Sequence, residues 1–121
     1  MIGWPTGMAI HLAVAPVDFR KAFDGLCIEI VEVLERDPLS GELFVFRNRA
    51  GDKLKALYWD GQGFVMIYKR LEKGRFKWPH HADGAAEGEV RLSRSQLQAL
   101  FEGIDWRRLE MPPRCLATAT G

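Results

Sequence analysis

Apolar residues in this chain follow two rhythms: short blocks that alternate or run together, and longer stretches spaced by three and four. The first block, Met8-Ala9-Ile10-His11-Leu12-Ala13-Val14-Ala15, stops at Pro16 and predicts a short strand. His11 alternates with Ile10 and Leu12, so it is expected to face outward or into a small polar pocket. Residues 19–35 change rhythm. Phe19, Phe23, Leu26, Ile30, Val33 and Leu34 form the stripe of an amphipathic helix, with Glu29, Glu32 and Glu35 on the other side. Asp18 is the expected N-cap, because its carboxylate can accept amide hydrogens of the first turn. Asp37-Pro38 ends the element, since a residue before proline is pushed out of the helical region. Gly25 within it marks either close packing or a bend.

Strand-like blocks then follow with glycine punctuation. Glu42 to Arg47 is β-branched and aromatic, Asn48-Arg49-Ala50-Gly51-Asp52 has hairpin length, and Lys53 to Trp59 returns. Asp60-Gly61-Gln62-Gly63 turns the chain into Phe64 to Leu71. Glu72-Lys73-Gly74 turns it again into Arg75-Phe76-Lys77-Trp78, which stops at Pro79. Three or four antiparallel strands are expected. Residues 80–89 lack an apolar period and read as a loop. A second helix starts at Ser93, where Gln96 completes a capping-box pattern ahead of Leu97, Leu100, Phe101 and Ile104. The predicted class is α+β: an antiparallel meander packed against an N-terminal helix, with a shorter C-terminal helix. Residues 1–111 form one domain in this reading, and 112–121, opening on Pro112-Pro113, a flexible tail.

Composition narrows the class further. The chain has 121 residues, 47% hydrophobic and 27% charged, which suits one soluble globular domain and excludes a disordered or fibrous protein. No apolar run approaches the roughly 20 residues that span a bilayer, and no basic-then-apolar leader opens the chain. Two cysteines, Cys27 and Cys115, do not make a disulfide framework. A cytoplasmic location without membrane attachment is expected.

The net charge of +1 conceals an asymmetry: residues 1–42 sum to −4, 43–79 to +6 and 80–121 to −1. The positive segment holds Arg47, Arg49, Lys53, Lys55, Lys69, Arg70, Lys73, Arg75 and Lys77, the candidate nucleic-acid contacts. Strand parity puts Lys53, Lys55, Leu57 and Trp59 on one face and Leu54, Ala56 and Tyr58 on the other. Cations beside rings suit phosphates and bases; they equally suit a solvated sheet face with core aromatics and rim lysines. If the two loops flanking these strands meet, they form a positive, glycine-containing rim that a phosphate can approach closely.

Catalysis finds little footing. His11, His80 and His81 lack metal-ligand spacing with the cysteines, and neither a nucleophile elbow nor a phosphate-binding loop is present. Nothing in the spacing makes Asp18, Asp24, Asp52 and Asp60 converge. No enzyme activity, cofactor or metal is expected.

Several blocks carry a family resemblance. Asp18-Phe19-Arg20-Lys21-Ala22-Phe23-Asp24-Gly25-Leu26 resembles the Asp-Met-Arg-Lys-Gly-Phe-Asp-Gly-Leu segment of a bacterial insertion-sequence protein. Asp37 to Arg47, Tyr58-Trp59-Asp60-Gly61, Tyr68 to Pro79 and Leu100 to Trp106 look like its further blocks, in order. The family is the accessory protein, often called TnpB or the second-open-reading-frame product, of the insertion-sequence-sixty-six group. It is unrelated to the RNA-guided nuclease of the same name. One loop departs: Arg47-Asn48-Arg49-Ala50-Gly51-Asp52 stands where the family commonly has Arg-Gly-Arg-Arg-Gly-Asp, one cation fewer. The resemblance implies a role in transposition beside the element's transposase and other accessory protein, and carries no agreed catalytic residues. Two roles stay open: binding DNA at element ends or target through residues 43–79, and docking the transposase as an adaptor without DNA contact.

Overall fold

The computed structural model describes residues 7–79 and 88–105. Five strands, β1 (Ile10–Ala13), β2 (Leu43–Arg47), β3 (Lys53–Trp59), β4 (Phe64–Arg70) and β5 (Glu89–Leu92), form one sheet in the order β4-β3-β2-β1-β5. Two helices, α1 (Phe23–Glu32) and α2 (Arg94–Phe101), complete an α+β fold. Alternation along β2 sorts the core. Phe44 and Phe46 pack with Leu26 and Ile30 of α1, while Leu43 and Val45 pack with the side that holds Leu97 and Leu100 of α2. The sheet is therefore covered on both faces, with one helix on each. No helix among the described residues is long and apolar enough to cross a membrane.

The expected antiparallel meander is present as β2-β3-β4, but the sheet as a whole is mixed. β1 runs parallel to β2, with His11 opposite Phe44, and antiparallel to β5, with His11 opposite Arg91. Residues 14–42 are long enough to carry the chain across α1 and back to the starting end, as a parallel neighbour requires. Residues 75–78 do not form the fourth strand of the meander. Instead Phe76 is buried, and the Trp78 indole donates to the Ala13 carbonyl at 2.6 Å. His80, His81, Cys115 and the expected tail 112–121 lie outside the described residues.

Helix α1 starts later than the stripe suggests. Asp18 does not cap it: its carboxylate accepts the Arg20 amide and guanidinium, closing a separate turn, and α1 opens at Ala22 without a side-chain cap. The helix also ends before the proline, where Glu35 takes a left-handed conformation (φ 55°). Gly25 marks close packing, since a Cβ there would lie 2.9 Å from Lys21 Cβ. Helix α2 keeps its expected start, with both bonds of the Ser93–Gln96 capping box formed.

Candidate nucleic-acid interface

The β2–β3 loop is built on Asn48. Its Oδ1 accepts the Gly51 and Lys53 amides at 2.9 and 3.1 Å, and its Nδ2 donates to Asp52 at 2.8 Å. That last bond comes first among the causes that hold the half-buried Asp52 carboxyl below the usual range. Gly51 is needed for its positive φ of 82°, which turns its carbonyl toward the next loop. There it accepts the Phe76 amide at 2.8 Å, while Asp52 O accepts the Leu71 amide at the same distance. Backbone bonds thus join loop 48–52 to segment 71–76. The condition for a shared rim is met.

The nine candidate cations divide into two groups. Arg49, Arg70, Lys73, Arg75 and Lys77 are exposed, and Lys53 is half-buried beside Arg70, its partner in the β3–β4 register. Arg70 pairs with Glu72 at 2.9 Å, a solvent-exposed bridge of small worth. The other three are occupied by backbone carbonyls. Arg47 is half-buried and donates to Val14 O at 3.2 Å, and burial draws its pKa down. Lys69 donates to Phe101 O at 2.8 Å and lies over the Phe101 ring.

Lys55 is 5% exposed. Its ammonium donates to Phe19 O and Lys21 O at 3.0 and 2.7 Å and sits 4.7 and 5.1 Å from the centroids of Phe19 and Tyr68. Burial pulls its pKa below the ordinary lysine range. Parity correctly aligned Lys53 with Lys55, yet the turn at 18–22 folds over only the second. Beside the rim, Pro16, Val17, Asp18, Phe19, Asn48, Arg49 and Ala50 line a cleft of about 380 Å³. The Arg20 guanidinium holds the Asp18 carboxyl on its wall down to about 2, so it is ionised at neutral pH.

A second polar centre lies on the α1 side of the sheet. His11 is 1% exposed, stacks on Phe44, and places Nδ1 2.9 Å from Glu89 Oε2 and Nε2 3.2 Å from Glu42 Oε1. Arg36 grips the same Glu89 through two nitrogens. Burial opposes ionisation of Glu89, but Arg36 and His11 prevail and keep its pKa below the usual value. The polar pocket is one of the two placements expected for His11; of its partners, Glu42 opens an expected strand block, whereas Glu89 lies in β5, where the sequence pattern predicts a loop. Among the described residues no group of three His, Cys, Asp or Glu side chains could hold a metal ion. Asp60 lies far from the rim in the β3–β4 turn, accepting the Gln62 and Gly63 amides.

The described residues form a small α+β domain of two helices and a mixed sheet, with basic residues at the loops of one end. The chain belongs to the IS66 Orf2-like family, whose model matches residues 8–111, and is thus an insertion-sequence accessory protein. Two curated relatives from Sinorhizobium fredii (strain NBRC 101917 / NGR234) carry the names uncharacterized protein y4jC and uncharacterized protein y4hO. The first is 39% identical over 113 residues, covering 93% of each chain. The second is 43% identical over 105 residues, covering 85% of this chain and 88% of its own. No solved structure matches the chain significantly.

Proposed function

We propose that this accessory protein binds DNA, at element ends or target, through the rim formed by Arg49, Lys53, Arg70, Lys73, Arg75 and Lys77. The observation that carries this reading is the pair of backbone bonds joining loop 48–52 to segment 71–76. They bring the cations of the β2–β3 loop and those of the segment after β4 to one end of the sheet. The contact is electrostatic and directed at phosphates, so it depends steeply on salt and weakly on sequence. Arg47, Lys55 and Lys69 act in this reading as supports rather than contacts. The protein neither cuts nor joins DNA, works without a cofactor, and acts in the cytoplasm beside the element's transposase and other accessory protein.

The test is a salt titration on one duplex, comparing wild type with a Lys73→Ala, Arg75→Ala, Lys77→Ala triple variant after circular dichroism confirms folding. The log–log slope should flatten by about 2.7 if all three meet phosphates, at roughly 0.9 each. Equal affinity and slope would remove the rim from the DNA surface. Metal-dependent nicking that vanishes with Asp52→Ala or Asp60→Ala would overturn the non-catalytic part. A second reading, an adaptor docking the transposase without touching DNA, is favoured by the exposed apolar side of α1; pull-down of the transposase without any gel shift would select it.

A further inference from the structure

Helix α1 carries more apolar surface than the sheet covers. At 3.6 residues per turn, Leu26 and Ile30 point to the sheet, while Phe23, Cys27, Val31 and Ile28 continue the apolar arc around the helix. The arc from Leu26 round to Ile28 is about twice the roughly 100° that a sheet-covering helix requires, with Asp24 falling between Val31 and Ile28. Phe23, Ile28 and Val31 are 42%, 54% and 52% exposed, and a shallow groove lies along Cys27, Ile28, Val31 and Glu32. Contiguous exposed apolar surface of this kind marks an interaction site.

Charge on the helix selects the occupant. Asp24 and Glu32 stand one turn either side of Ile28, and neither forms an ion pair among the described residues. A two-fold contact between two copies centred on Ile28 would set Asp24 of each against Glu32 of the other, two like-charged pairs about 12 Å apart. That arrangement is repulsive and argues against a second copy. We propose that α1 docks an amphipathic helical segment of a partner protein, apolar along one face and carrying Lys or Arg spaced to meet Asp24 and Glu32, about 12 Å apart along the helix. This deepens the docking reading and rests on it; the surface shares no residue with the basic rim.

The probes are synthetic helical peptides of about 18 residues with one leucine face, flanked either by lysines or by glutamates, titrated against the full chain by fluorescence anisotropy. The lysine peptide should bind about tenfold tighter than its glutamate twin, with the difference shrinking in salt. Ile28→Ser with Val31→Ser should weaken it at least about tenfold, and both positions are exposed enough to keep the fold. Asp24→Asn with Glu32→Gln should erase the preference while retaining part of the affinity. Equal binding of the two peptides, or variants that bind like wild type, would overturn the proposal. So would sedimentation showing a dimer that the serine variant dissolves, or binding that emerges only after residues 106–121 are removed. Transposase captured by wild type without any preference for the lysine peptide would defeat the partner chemistry alone; failure of both would defeat docking itself.

Discussion

Lys53 and Lys55 stand two residues apart on the same face of β3, and their replacement should have opposite consequences. Lys55→Met keeps the length and apolar stem but removes the ammonium. Two hydrogen bonds from a charged donor are lost, each worth about 1.5–3 kcal/mol, together with ring contacts worth about 0.5–2 kcal/mol. The offsets are the desolvation that burial imposes on the ammonium and new sulfur–ring contacts of about 0.3–1.5 kcal/mol. A net loss of about 2–4 kcal/mol follows. For a domain of this size that corresponds to a Tm lower by about 8–16 °C. Lys53→Ala should stay within about 0.5 kcal/mol of wild type in stability, since the half-buried Lys53 ammonium holds no backbone carbonyl among the described residues as Lys55 does, and lower the DNA salt slope by about 0.9. Urea unfolding followed by circular dichroism at neutral pH, with unchanged m-values, measures the first; a salt titration measures the second. A Lys55→Met variant within about 0.5 kcal/mol of wild type would refute the reasoning that this lysine pins the turn before α1.

Two further outcomes rest on local geometry. Gly25→Ala should destabilise by about 1–3 kcal/mol in thermal unfolding although alanine favours helix, because its Cβ would press on Lys21 Cβ, whose residue is anchored at both ends by Glu29 and Lys55. Glu89 has a folded pKa below its unfolded one, so its stabilisation is fully present above the unfolded value and is lost as pH falls through the folded value. Denaturant midpoints measured from about pH 6 down to pH 3 should therefore fall less steeply for Glu89→Gln than for wild type.

What could be read from the chain was what depends on neighbours in sequence. The Ser93–Gln96 cap was legible because both of its bonds close within one turn. So was the β2-β3-β4 meander, where short loops leave the next strand little choice of partner. The parallel pairing of β1 was not legible, since it depends on a crossover and on residues 43–45 far along the chain. β5 offers four residues, Glu-Val-Arg-Leu, beside a small-residue stretch, too little to show a period. Asp18 looked like a cap because nothing local reveals that Arg20 competes for its carboxylate. At the candidate interface the charge excess was visible by counting. The division into six rim cations and three supports was not, because occupation by a carbonyl is set by where the 14–21 turn and the end of α2 come to rest.

The position of β1 also fixes an order of events. It lies between β2 and β5, and its own neighbour in sequence is a helix rather than a strand. On a ribosome β1 must wait for residues 43–45 before it gains one partner and for residues 89–92 before it gains the other. The meander can assemble by local closure meanwhile, offering β2 as the template. A nascent chain that ends before residue 88 leaves β1 as an open edge and His11 without Glu89. β1 gains its second partner only once residues 89–92 have been made, so it is the strand most dependent on protection during synthesis.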